Sequence, residues 1–158
     1  MSSHSRLTFS DEARTKLLHG VTALADAVRP TLGPEAHSVL LEKKFGSPQV
    51  CDDGVTIAKR VTLPDPEEDL GARLLRDAAV ATGDAVGDGT TTSTLLAHAI
   101  VVEGMRNVVA GTSASGIRRG LERGLEVAIE ALAAESRPVG GKGDAADVAT
   151  VSAHGDRR

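Results

Sequence analysis

Gly87-Asp88-Gly89-Thr90-Thr91-Thr92 is the stretch on which the reading of this sequence turns. Two glycines around an aspartate predict a tight loop. The residues beyond it, from Leu95 and Leu96 through Ile100, Val101 and Met105 to Val109, predict a helix that opens at Thr90 and stops at Gly111. A helix start presents N–H groups without intrahelical partners and a partial positive charge, and both attract phosphate. Glycine lets backbone approach a ligand closely, the threonine hydroxyls can donate hydrogen bonds, and the Asp88 carboxylate is the hard oxygen that Mg²⁺ prefers. The Gly-Lys-Ser/Thr element of a P-loop is absent, so any phosphate site here is of another kind. Aspartate, threonine and glycine are equally the ordinary residues of caps and turns. Chemistry alone leaves both readings open.

The helix opened by Thr90 carries apolar residues in nearly every direction around its axis. A helix apolar all round is a helix buried all round. Three other sizeable helices are too few to cover it, and the expectation is a chain shaped for a larger body than itself.

Working outward, Asp65-Pro66-Glu67-Glu68 predicts the start of the preceding helix, with Asp as cap, Pro in the first turn and Glu three residues after the cap. Leu70, Leu74, Ala78 and Ala81 give its expected apolar stripe, running towards Gly83 and Gly87. Near the N-terminus, Ser10 can cap a helix with Asp11 and Glu12 in its first turn; Ala13, Leu17, Val21, Leu24 and Val28 form the stripe, and Pro30 ends it. Ser38 to Glu42 and Pro48 to Cys51 flank Lys43-Lys44-Phe45-Gly46-Ser47, which predicts a small β-hairpin closed by Asp53-Gly54, with Val55 to Arg60 as a short helix. Downstream, a helix from about Ser113 places Ile117, Leu121, Leu125, Ala128 and Leu132 on one face, with Arg118, Arg119, Glu122, Arg123, Glu126 and Glu130 on the other. Pro138 to Gly143 is a flexible break, after which Asp144 can cap a last short helix through Val148 and Val151. The fold class is mainly α with a small β-hairpin.

Composition narrows the function classes. The 158 residues carry a formal net charge of −4, which argues against a nucleic-acid footprint. Aromatics are 1% of the chain, Phe9 and Phe45, so the core is built from Leu, Val, Ile and Ala. A lone cysteine, Cys51, forms no internal disulfide and reads as a small buried hydrophobe. No run of about eighteen apolar residues occurs, so no membrane partner is expected. Met1 to Ser10 do not resemble a secretion signal, and the expected compartment is the cytoplasm. The histidines are scattered without metal-ligand spacing, and His98 reads as a packed, hydrogen-bonded side chain.

Two further motifs are ordinary by themselves. Thr31-Leu32-Gly33-Pro34 is a turn, and Asp52-Asp53-Gly54-Val55-Thr56-Ile57-Ala58 joins adjacent carboxylates to a glycine turn, a pattern that suits a metal or a water as well as it suits a turn. In this order, with Gly87 to Thr92, they change the picture. The chain resembles the group I (GroEL-type) chaperonins from about Leu7 to Asp156. The likeness rests on Asp11-Glu12-Ala13-Arg14, Leu24 to Val28, Thr31-Leu32-Gly33-Pro34, Phe45-Gly46-Ser47-Pro48, Asp53 to Ala58, Gly87 to Thr92, Ala97 to Ile100 and Val109-Ala110-Gly111.

That resemblance implies an incomplete GroEL-type equatorial domain: a flexible N-terminus over 1–9, a partial equatorial ATP-binding domain over 10–136, and the start of an intermediate domain over 137–158. It implies ATP and Mg²⁺ as ligands. Thr31, Leu32, Gly33 and Pro34 would wrap the nucleotide, Asp88 would ligate the metal, Gly89, Thr90, Thr91 and Thr92 would hold the phosphates, and Asp53 would face the hydrolysis site as the catalytic carboxylate. The family activity is ATP hydrolysis coupled to protein folding, and its other hydrolytic carboxylate lies in a portion absent here, so this chain alone is expected to lack full activity. The implied partners are ATP, full-length chaperonin subunits or further copies of itself. The alternative is a non-enzymatic interaction module, or an inactive truncated paralogue, that associates with a chaperonin ring.

The sequence departs from the family pattern in two places. Lys-Gly-Arg-Asn usually follows Thr-Leu-Gly-Pro, and here the residues are Glu35-Ala36-His37-Ser38. Asp52 stands where a Lys or Asn commonly precedes Asp-Gly. Were Asp52 to face a phosphate oxygen at about 5 Å, an effective dielectric of about 20 gives about 3 kcal/mol of repulsion, or about a hundredfold in affinity.

Overall fold

The computed structural model describes residues 10–33, 36–42 and 46–153. The elements are α1 (Ser10–Val28), a 3₁₀ turn (Arg29–Thr31), β1 (Val39–Leu41), β2 (Gln49–Cys51), α2 (Gly54–Arg60), α3 (Pro66–Val86), α4 (Thr90–Val109), α5 (Ala114–Glu135) and α6 (Lys142–Ser152). The fold is mainly helical with one antiparallel hairpin, as the periodicities predict. It divides into two compact units, Met1–Arg106 and Asn107–Arg158.

In the first unit, α1 buries Val21, Leu24, Ala25 and Val28, which meet Ile57 and Ala58 of α2 and Ala72, Leu75 and Ala79 of α3. Leu95, Ala97 and Val101 of α4 pack against the same core. Aliphatic side chains thus fill the interior, as the near absence of aromatics requires. Removing them from water supplies the main driving force for the fold.

The buried face of α3 is not the expected one. Leu70 and Leu74 are 52% and 59% exposed, while Asp69, Gly71, Ala72, Leu75 and Ala79 are buried. The reason is the closeness of α1. A Cβ on Gly20 would lie 1.7 Å from the Glu68 carbonyl oxygen, and one on Gly71 would lie 2.2 Å from that of Leu17. Where two helix backbones touch, side-chain size decides which face turns inward, and Leu70 and Leu74 give way to Gly71 and Ala72.

The hairpin pairs Val39 with Cys51, Leu40 with Val50 and Leu41 with Gln49. Alternation puts Val39, Leu41 and Cys51 towards the core and leaves Leu40 and Val50 exposed. The expected hairpin tip at Lys43-Lys44-Phe45 lies outside the described residues. Asp53-Gly54 does not close the hairpin. Asp53 is the N-cap of α2, and Gly54 is that helix's first residue.

α3 starts as its sequence predicts. Asp65 accepts the Glu67 N–H at 2.8 Å, and Pro66 occupies the first turn. Lys16 of α1 reaches the Asp65 and Glu67 carboxylates, which lowers the Asp65 pKa and raises that of Lys16.

The expected all-round burial of α4 is not met among the described residues. Thr90 and Thr94 are its buried residues, and Leu96, Ile100 and Val109 are exposed. Its C-terminal end is closed by Gly111 at φ 94°, with the Thr112 N–H donating to the Asn107 carbonyl at 2.9 Å.

In the second unit, Ser113 caps α5 through its hydroxyl oxygen, which accepts the Gly116 N–H at 3.1 Å. No residue of α5 is buried. Arg118 with Glu122 and Arg123 with Glu126 form exposed ion pairs at 2.8 and 3.4 Å on the face the sequence predicts for them. α6 begins at Lys142 with Gly141 as its N-cap, three residues before the expected Asp144 cap. Asp144 sits inside the first turn and its carboxylate accepts the Gly140 N–H at 2.7 Å, so it steadies the approach to the helix from within. Among the described residues no helix is long and apolar enough to cross a membrane.

Candidate functional site

α3 ends at Gly87, whose φ of 75° lets its N–H turn back to the Gly83 carbonyl at 2.9 Å. Asp88 follows and accepts the Gly89 N–H at 2.6 Å. Gly89, also at φ 75°, accepts the Ser93 N–H at 2.9 Å through its carbonyl, which makes it the residue that opens α4. The N–H groups of Thr90, Thr91 and Thr92 therefore belong to the first turn, whose donors lie outside the helix's own ladder. Among the described residues a Cβ at Gly87 or Gly89 would meet nothing within 4 Å, so the loop faces open space on that side.

Two other stretches arrive at the same turn. Thr31, at the end of the 3₁₀ turn, is buried, and its hydroxyl lies 2.9 Å from the Thr91 hydroxyl. Gly54, opening α2, presses on α4 so closely that a Cβ there would lie 2.4 Å from the Thr91 hydroxyl oxygen and 3.2 Å from the Thr91 nitrogen. Thus Thr31, Gly54 and Thr91, from three segments far apart in sequence, meet at one point.

The candidate residues differ in what their side chains do. Thr90 is buried, and its methyl lies 3.5 Å from where a Gly83 Cβ would stand; Thr91 is half-buried; Thr92 is exposed. Leu32 is half-exposed. Pro34, and Glu35 beside it, lie outside the described residues. Asp53 accepts the Val55 N–H at 3.3 Å, the Thr56 N–H at 3.1 Å and the Thr56 hydroxyl, so its carboxylate is bound to the start of α2. Asp88 and Asp52 are both exposed.

Among the described residues no group of three or more His, Cys, Asp or Glu side chains gathers as a metal cage. A divalent ion held by Asp88 would complete its shell with phosphate and water oxygens, the usual habit of Mg²⁺. The open glycine loop beside a single carboxylate fits that pattern.

A charged clamp that sequence reading did not single out supports the site from below. Buried Asp69 accepts the Leu63 N–H at 3.1 Å and the Arg73 Nε–H at 2.7 Å, and these bonds, the Leu63 one foremost, hold its pKa below the usual carboxylate value. Arg76 donates from Nε to the Ala58 carbonyl at 2.8 Å and from Nη2 to that of Val61. The C-terminal end of α2 is thereby fixed to α3 while its first residue touches Thr91. The i,i+4 spacing of Asp69 and Arg73 is a visible signal, but it looks like any surface pair. His98 lies apart from the loop, with Nε2 3.3 Å from the Thr22 hydroxyl, and burial lowers its pKa.

A fold of helices with one hairpin, and a glycine-aspartate loop opening a helix, define a class that the comparisons identify. The chain belongs to the TCP-1/cpn60 chaperonin family, whose profile matches residues 24–157. It is 56% identical over 153 residues to Chaperonin GroEL 5 of Bradyrhizobium diazoefficiens, a match that covers 97% of this chain and 28% of that protein. Among solved structures it resembles a group III chaperonin crystallised in the open state, with a TM-score of 0.76 and 32% identity, covering 92% of this chain and 29% of that one. The chain therefore spans less than a third of the length of the relatives it matches. Its role is chaperonin-related, and its fold is that of a partial equatorial domain.

Proposed function

We propose that the chain binds ATP and Mg²⁺ at the loop from Gly87 to Thr92, as the first part of a chaperonin ATP-binding domain. The observation that carries this reading is the meeting of Thr31, Gly54 and Thr91, from three separate segments, beside a loop whose glycines face open space. Residues 10–136 belong to the equatorial domain in this reading, and 137–158 begin the intermediate domain.

Within it, Asp88 offers a carboxylate oxygen to the metal, and the N–H groups of Gly89 to Thr92 meet the phosphates with the partial positive charge of a helix start behind them. Mg²⁺, when bound, offsets phosphate charge and fixes the orientation of the triphosphate. Thr31, Leu32, Gly33 and Pro34 border the nucleotide. Asp53 is the carboxylate assigned to hydrolysis, and its bonds to Val55 and Thr56 fix it at the base of α2. Partners are full-length chaperonin subunits or further copies of the chain.

Calorimetric titration of the purified chain with ATP, with and without Mg²⁺, tests the reading. Binding should require the metal and should be lost in Asp88→Ala. Equal affinity in that variant would remove Asp88 from the site.

The exposed apolar residues of α5 favour a second reading, a non-enzymatic module that adds to a chaperonin ring. Co-elution with a full-length chaperonin, in the absence of any ATP binding, would select it.

A further inference from the structure

The hydroxyl of Thr31 has a single proton to give. It lies 2.9 Å from the carbonyl oxygen of Val28, which can only accept, so the proton is spent there. The second contact of the same oxygen, 2.9 Å to the Thr91 hydroxyl, must then be one that Thr31 accepts and Thr91 donates. Thr91's own proton is in turn spent inside the protein. The result is a one-way relay, Thr91 to Thr31 to the Val28 carbonyl, which ties the first turn of α4 to the last turn of α1.

We infer that Thr31 is a positioning residue: its buried hydroxyl fixes the first turn of α4 through Thr91 and leaves Thr91 to meet a phosphate through its backbone N–H alone. This revises the role of both threonines. Thr31 acts through another residue, and the Thr91 hydroxyl has no proton left for a phosphate oxygen. Two observations besides the relay support it. Thr31 is buried, so its side chain is turned inward. The Gly54 backbone also closes on the Thr91 side chain, which leaves that hydroxyl little room to swing towards a ligand. The ligand half of the inference rests on the nucleotide reading, whereas the positioning half does not.

The test uses the full chain with Thr31→Ser, Thr31→Val, Thr91→Val and the Thr31→Val/Thr91→Val double variant, and two measurements. The first is hydrogen exchange of the α4 amides Ser93 and Thr94 without nucleotide. Thr31→Val should speed it by about three- to tenfold and Thr31→Ser should restore it to within about twofold, the loss of one hydrogen bond setting the scale. Thr91→Val breaks the same relay from its other end and should give the same acceleration, which keeps the test decisive should Thr31→Val fold poorly. Unchanged exchange in either valine variant overturns the inference. The second measurement is Mg-ATP affinity. Thr31→Val should weaken it by about three- to tenfold, and adding Thr91→Val should cost nothing more, since both remove one relay. Additive losses would mean that the Thr91 hydroxyl donates to phosphate directly and would overturn the ligand half. A wild-type chain that binds no ATP defeats the nucleotide reading, and the exchange result then decides the positioning role by itself.

Discussion

α1 and α5 carry nearly the same signal in sequence and meet opposite fates. Each repeats an aliphatic residue every three or four positions, Ala13 to Val28 in one and Ile117 to Leu132 in the other. α1 buries Val21, Leu24, Ala25 and Val28, whereas α5 buries nothing, with Leu125 and Leu132 at 61% and 71% exposure. Periodicity specifies that a helix has an apolar face. Whether that face is covered depends on partners that no local pattern names.

The largest effect that separates the two helices should come from truncating a leucine in each. Leu24→Ala should cost about 3 kcal/mol, because Leu24 is fully buried and its neighbours can only partly collapse. Leu125→Ala should stay within about 0.5 kcal/mol, as surface substitutions do. Urea unfolding would read both, and equal costs would erase the contrast.

Glycine gives a sharper version, because the sign should change. Gly20→Ala drives a methyl into the Glu68 carbonyl and should destabilise by about 2 kcal/mol. Gly124, inside α5, has nothing within 4 Å of a Cβ, and Gly124→Ala should stabilise by up to about 1 kcal/mol through helix propensity. Thermal melts of the two variants should move in opposite directions.

The charged pairs extend the comparison. Asp69 in the first unit is buried and its folded pKa lies below its unfolded value, so its stabilisation is present above the unfolded pKa of about 3.9 and is lost as pH falls through the folded value. Asp69→Asn should therefore cost about 1 to 2 kcal/mol near neutral pH and progressively less in acid, a convergence visible in melts taken from pH 7 downwards. Arg118→Ala in α5 breaks a pair whose side chains are mostly exposed and should shift stability by no more than about 0.5 kcal/mol, further reduced by salt.

Much of this was legible from residues alone. Asp65-Pro66 announced the start of α3, Gly111 the end of α4, and the hairpin followed from two short apolar runs around a polar link. The inward face of α3 was not legible, because it depends on how closely α1 approaches, a property of Gly20 and Gly71 together and of neither segment alone. The cap of α6 lies three residues before Asp144, because an acidic group inside a first turn looks the same in sequence as one that caps it. The roles of Asp53 and of the Asp69–Arg73–Arg76 clamp were hidden for a similar reason: each binds backbone groups whose positions exist only in the folded chain. At the candidate site the motifs named the segments. Only the fold shows that Thr31, Gly54 and Thr91 are neighbours.

The contact between Gly54 and Thr91 also has a mechanical side. Bare backbone meets a side chain there, so on the α2 side no side-chain rotation is available to absorb a shift. α2 is a strut of seven residues, about 10 Å long at the usual rise, seated on α4 at one end and gripped by Arg76 at the other. The opening turn of α4 is thus braced against one end of a short helix whose other end is fastened to α3.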